Sequence, residues 1–233
     1  MRTGWSYHPW NGGRSIEIGR LEAVGAVSLA AHFHQEVQVV AVSQGWRIYA
    51  TPCGDIRAAA GDIAVIPARL PHASHGSPDA VVTHLYVPAD HPAVRGVTIP
   101  RTMRLSRAPT PDDLIDAIGS LSEARQCDER SVFSAALIDH ILGEDAEVGA
   151  VAARCGYSTD GFIRAFRRQF GMTPAAYRVA HRLAHARSQL KNGDAVADVA
   201  FAASFADQSH LGRLFRRAYG TTPGAYRSAF MVA

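Results

Sequence analysis

A chain of 233 residues, 47% of them hydrophobic and 19% charged, can bury a sizeable core, which excludes a disordered or fibrous class. No apolar run reaches the length of a membrane span or a signal peptide, so a cytoplasmic location is expected. The net charge of +3 hides an asymmetry: residues 148–233 hold 12 basic and 4 acidic side chains, a net of +8, whereas residues 1–147 hold 12 and 17, a net of −5.

In the first hundred residues, short alternating or apolar runs punctuated by Gly and Pro predict strands at 15–20, 27–33, 37–43, 46–51, 63–66 and 81–87. Strand alternation places His32, His34, Glu36 and Gln38 on one face. Trp5, Tyr7, Trp10 and Trp46 are expected to anchor the chain rather than line a ligand. Cys53, Cys127 and Cys155 are far apart and odd in number, which argues against a disulfide framework or a CxxC site. No Ser/His/Asp order and no phosphate loop is present, so the expectation is not an enzyme.

Residues 101–111 read as a Pro-containing, Arg-rich connection. Two amphipathic helices are expected after it, with stripes Leu114, Ile118, Leu121 and Val132, Ala136, Ile138, Leu142. Their plain use is to cover the flank of the sheets, and pairing of protomers is the other.

The last third states one pattern twice, over 148–178 and 196–227. Val148, Val151, Ala152 and Cys155 have the spacing of a buried helix face, as do Val196, Val199, Ala200 and Ala203. After a tight turn, Phe162, Phe166, Phe170 and Leu211, Phe215, Tyr219 repeat every four residues. Each copy is therefore a helix, a turn and a second helix. The opposite face of each second helix is basic: Asp160, Arg164, Arg167 and Arg168 in one, Ser209, Arg213, Arg216 and Arg217 in the other. Recurrence of the same arginines in two units favours nucleic-acid contact over plain solvation. A helix over 174–191, opened by Pro174 and followed by Gly193, joins the units. It is roughly 27 Å long, a fitting spacer for grooves about 34 Å apart.

Residues 146–228, through Val199-Ala200, Phe205-Ala206-Asp207-Gln208-Ser209, Arg213, Phe215-Arg216-Arg217, Gly220, Pro223 and Tyr226-Arg227, resemble the DNA-binding domain of AraC-family transcriptional regulators. The resemblance implies base-reading positions at Asp160, Ile163 and Arg164 and at Gln208, Ser209 and Arg213, with Arg167, Arg168, Arg216 and Arg217 beside the backbone. Ser204 departs from the family's glycine after the first helix of the second unit, and Gly161 and Gly212 lie inside the recognition helices.

His32-Phe33-His34-Gln35-Glu36 followed by Gly45, and Gly61-Asp62-Ile63-Ala64-Val65-Ile66-Pro67 followed by Pro71-His72, resemble the two motifs of the cupin barrel, the sensor of many such regulators. That resemblance implies an effector site at His32, His34, Glu36, Gln38 and His72. It also offers a divalent metal site, for Zn, Ni or Fe, at His32, His34, Glu36 and His72, with Gln38 where the carboxylate usually stands.

The fold class expected is α+β, an N-terminal cupin-like β-barrel followed by an all-α double helix-turn-helix domain. The division is a sensing barrel at 1–100, a linker with helices at 101–145, and the DNA-binding domain at 146–233. The function implied is an effector-responsive transcriptional regulator of double-stranded DNA, acting as a homodimer and with RNA polymerase where it activates. A metal-dependent cupin enzyme tethered to DNA, or a DNA-binding protein whose barrel only dimerises, are the alternatives.

Overall fold

A computed structural model describes residues 4–10, 13–105 and 146–231, together with Leu114 and Ile138. The remaining positions of the two expected amphipathic stripes, and Cys127, lie outside the described residues.

Among the described residues ten strands precede the α-helices: β1 Gly4–Trp10, β2 Gly13–Glu22, β3 Ser28–His32, β4 Val37–Gln44, β5 Trp46–Thr51, β6 Gly54–Ala59, β7 Asp62–Ile66, β8 His72–Gly76, β9 Val81–Val87 and β10 Arg101–Arg104. They form two antiparallel sheets, one in the order β1-β2-β9-β4-β7-β10 and the other β3-β8-β5-β6. Six strands fall where apolar patterning predicts them. The other four lack that pattern: β1 carries Pro9 and sits on a sheet edge, where a missing amide donor is tolerated, and β8 reads His-Ala-Ser-His-Gly.

Register decides what the interior contains. In β4, Val37, Val39 and Ala41 face an outer core with Ile63, Val65, Leu85, Val87 and Leu114. The alternate residues Val40 and Val42 pack inward with Tyr49, Ile56, Ala64, Ile66 and Val82. Gln38 pairs with Tyr86, Val40 with His84, and Tyr86 in turn with Glu17. One end of the space between the sheets is therefore polar and aromatic.

The expected single face through His32, His34, Glu36 and Gln38 does not form as one strand. β3 ends at His32 and residues 33–36 connect it to β4. Freed from alternation, Phe33 turns the other way and packs against Tyr177 with ring centroids 5.1 Å apart.

Among residues 146–231 six helices follow: α1 Val148–Arg154, α2 Thr159–Phe170, α3 Pro174–Asn192, α4 Val196–Ala202, α5 Gln208–Tyr219 and α6 Pro223–Met231. Ser158, Thr173 and Asp207 cap α2, α3 and α5 by accepting from the amides of Gly161, Ala176 and His210. Gly171, Gly193 and Gly220 end the same three helices in the left-handed conformation. Phe162 and Phe166 bury into the core of the first unit, and Leu211, Phe215 and Tyr219 into that of the second.

The turns of the two units differ at one residue. Gly156 has φ +74°, and Ser204, at the matching place, is held at φ +56°. Nothing lies within 4 Å of a Cβ built on Gly156, so backbone preference alone acts there. Gly156→Ala is expected to cost about 1–2 kcal/mol, whereas Ser204→Gly should gain roughly 0.5 kcal/mol, strain relief exceeding the added freedom of the unfolded chain. Urea unfolding of the two variants checks the opposite signs.

Candidate functional site

Two surfaces emerge, one outside the helices and one between the sheets. On α2, Asp160, Arg164, Arg167 and Arg168 are exposed and Ile163 is half-buried; on α5, Gln208, Ser209, Arg213, Arg216 and Arg217 are all exposed. Burial of the phenylalanine and leucine stripes turns these residues outward, as helical spacing requires. α3, 19 residues long, separates the two faces. The second face is not open on all sides. Ser28 of β3 forms one wall of a cleft of about 650 Å³ whose other walls include Ser209, Arg213, Arg216, Arg217 and Thr222.

Inside, His32, His34 and His72 converge, with ligating nitrogens all within 4.8 Å of one another and all three rings buried. His32 donates from Nδ1 to the Ala30 carbonyl at 2.7 Å, and His72 from Nδ1 to the Leu70 carbonyl at 2.9 Å. Each backbone bond fixes the tautomer and leaves Nε2 as an acceptor facing inward. His32 Nε2 lies 3.1 Å from His34 Nε2. That separation suits an N–H···N bond between neutral rings, and it also suits two imidazoles sharing a cation bound at about 2.0–2.1 Å. Burial pushes all three imidazoles down, His72 to about 4, and the neighbouring rings depress His32 and His34 further. They are neutral near pH 7, the form a metal requires. The set fits a soft or borderline divalent cation with three nitrogen ligands.

Glu36 does not join that set, contrary to expectation. Its Oε2 accepts from Arg187 Nη1 at 3.1 Å, because the connection after β3 carries it toward the helices. Burial raises the Glu36 carboxyl, but Arg187 and Lys191 more than reverse this and hold it below the usual carboxylate range. Gln38 faces the same interior but is engaged elsewhere, its Nε2 2.8 Å from His84 Nδ1. His72 is brought beside His32 as expected, with ring centroids 4.6 Å apart.

Residues that patterning passed over complete the interior. Glu17, fully buried, accepts from Arg187 Nη2 at 2.6 Å and from the Tyr226 hydroxyl at 2.7 Å, with Lys191 Nζ at 3.6 Å. The Arg187 guanidinium lies 4.4 Å from the centre of the Tyr86 ring. Tyr7 donates to the Tyr219 carbonyl at 2.7 Å, and Gly220, left-handed at the end of α5, sits directly under the Trp5 ring, where no side chain has room. Tyr219 also meets the histidines: its ring centroid is 5.2 Å from that of His32 and 5.5 Å from that of His34. The signal for Arg187 was a charge on the apolar stripe Ala180, Leu183, Ala184, Leu190 of α3; Glu17 alternates with Ile16 and Ile18 as a solvent-facing residue would and carried no such signal.

Residues 151–229 match the family model described as a helix-turn-helix domain. No curated protein matches the chain. The solved structure of ToxT from Vibrio cholerae with an unsaturated fatty acid bound is 10% identical, with a TM-score of 0.58 over 100% of this chain and 99% of that one. The likeness shows a common fold across sheets and helices. The DNA-binding domain of AdpA, solved in complex with a target DNA, is 33% identical over 42% of this chain and 88% of its own, with a TM-score of 0.37. A probable AraC family transcriptional regulator from Rhodopseudomonas palustris is 25% identical over 40% of this chain and 93% of its own, also at 0.37.

Proposed function

This chain belongs to the AraC family of helix-turn-helix regulators, and from that premise we propose that it couples an effector site between its sheets to two DNA-reading units. In this reading residues 1–100 sense, 101–145 connect, and 146–233 bind double-stranded DNA. α2 and α5 enter successive major grooves on one face of the duplex. Arg164, Arg213 and Gln208 read base edges, with Asp160, Ile163 and Ser209 beside them, while Arg167, Arg168, Arg216 and Arg217 neutralise phosphates.

One observation carries the coupling: the polar interior touches the DNA-reading helices directly. Tyr219, the last residue of α5, packs on His32 and His34, and Arg187 of the joining helix α3 reaches Glu17 and Glu36. A ligand among the histidines therefore bears on the orientation of α5 relative to the sheets. Ser28 over the basic face of α5 suggests what changes, since a sheet standing beside Arg213 and Arg217 competes with a duplex for that space. The effector shifts the balance only so far as it binds the two arrangements unequally. The bound fatty acid of ToxT supports this fold as a ligand carrier. His32, His34 and His72 would hold a divalent cation where one is the effector or its anchor.

The DNA side is tested by enrichment from a random duplex pool with the full chain. Two sequence blocks roughly 10 base pairs apart are expected, one for each unit. Recovery of a single block, or no enrichment over the starting pool, would overturn docking in successive grooves.

A further inference from the structure

Among the described residues two arginines are buried in the interior, and one of them has a counter-charge. Arg187 holds both carboxylates that reach this space, Glu17 at 2.6 Å and Glu36 at 3.1 Å, with Lys191 sharing Glu17. Arg47 of β5 is 1% exposed, and among the described residues no carboxylate pairs with it. Its Nη2 donates to the Ser74 hydroxyl at 2.6 Å and the guanidinium also lies against the Tyr49 hydroxyl, while Nε and Nη1 are buried without a partner among the described residues. Among the described residues three cations, Arg47, Arg187 and Lys191, stand against two carboxylates, Glu17 and Glu36. One positive charge is left over, and it belongs to Arg47. A buried ion with no partner is among the most costly groups a fold can carry, so a stable interior calls for an anion.

Several unsatisfied donors accompany it, alongside the unpartnered acceptors Gln38 Oε1 and His72 Nε2. The indole Nε1 of Trp5 and the hydroxyl of Tyr49 are buried donors with no acceptor, like the two open nitrogens of Arg47. Tyr49 is the next inward residue of β5, its ring centroid 6.0 Å from the guanidinium carbon. Trp5 packs on His84 with centroids 5.1 Å apart, and His84 stacks in turn on Tyr86. The unpaired guanidinium selects a monoanion, its open nitrogens give the anion's oxygens partners, and the rings around it select an organic body.

We propose that the effector is a small organic monocarboxylate whose carboxylate sits against Arg47 between the two sheets. The proposal rests on reading the interior as the effector site and names the class of ligand it takes. A dianionic phosphate would reverse the surplus charge rather than cancel it.

The test follows the thermal unfolding midpoint of the full chain at constant ionic strength with acetate or benzoate, against acetamide, benzamide, chloride and inorganic phosphate. The carboxylates should raise the midpoint by about 5 °C or more at a hundredfold excess over Kd, and the neutral amides should not. Arg47→Met keeps the apolar stem and should abolish the shift, whereas Arg47→Lys should weaken binding by about tenfold, retaining charge without the planar donors. The proposal is overturned by equal shifts with amides and acids, by a shift that survives Arg47→Met, by a response to chloride or phosphate alone, or by no shift with either acid. If Arg47→Met does not fold, the acid-against-amide comparison and Arg47→Lys still decide. Carboxylate binding that leaves affinity for the enriched duplex unchanged would defeat the effector reading while keeping the site. A different metabolite that alters DNA affinity, with no carboxylate bound, would do the reverse.

Discussion

Arg187→Met is expected to lower the unfolding free energy of the full chain by about 3–5 kcal/mol, the scale for removing one partner of a buried ion pair. Glu17 is fully buried, and the substitution leaves it only the Tyr226 hydroxyl at 2.7 Å and Lys191 at 3.6 Å. Burial leaves the Glu17 carboxyl raised above its usual range even though Arg187 and Lys191 pull it down, so its charge depends on the two hydrogen-bond donors and the ion pair with Lys191. On the other side, burial works against the Arg187 charge, and Glu17, Tyr226 and Glu36 more than offset it. Glu36 is only partly buried and regains water, so the larger part of the loss falls on Glu17. Adding Glu17→Leu to Arg187→Met removes the stranded carboxylate and should recover much of the stability. Urea unfolding of the single and double variants separates the two contributions; a loss under about 1 kcal/mol for Arg187→Met would mean that water reaches this pair as it reaches a surface bridge.

The helices were legible because their period is local. Phe162, Phe166, Leu211 and Phe215 announce a buried stripe within two turns, and the arginines opposite must face out. The histidine cluster was legible only in part. His32, His34 and His72 meet, but their meeting depends on where β3 stops and how β8 pairs with it, and His-Ala-Ser-His-Gly has no apolar alternation to mark a strand. Glu36 departs from the expected face for the same reason: strand alternation does not hold through residues 33–36, where the chain leaves the sheet. Arg187 and Glu17 are 170 residues apart, so nothing in either neighbourhood names the other. Arg187 did show a charge on an apolar helix face, which asks for a partner without saying which, whereas Glu17 reads as an ordinary polar strand position. Arg47 poses the same question, and no carboxylate in the described chain answers it.

Arg213→Ala and Arg217→Ala should separate sequence reading from charge. Both side chains are exposed on α5, but they differ in position along it: Arg213 lies near the middle of the helix and Arg217 in its last turn. An arginine reaching a base edge offers two donors to one guanine, and its loss costs about 1–3 kcal/mol of discrimination. Arg213→Ala is therefore expected to weaken the enriched duplex by roughly tenfold to a hundredfold, to relax preference at one position, and to change random duplex little. Arg217→Ala should weaken all duplexes alike and reduce the slope of log affinity against log salt by about 1, as removal of a single phosphate-neutralising charge requires. Anisotropy titrations of both variants on enriched and random duplex across a salt series provide the four comparisons. Equal losses on the two duplexes for Arg213→Ala would remove it from base reading and make the whole face of α5 electrostatic, leaving Gln208 and Ser209 at the helix N-terminus as the remaining readers of the second groove. Asp207 matters to that outcome, because it fixes those two residues at the first turn by accepting from the His210 amide at 2.6 Å.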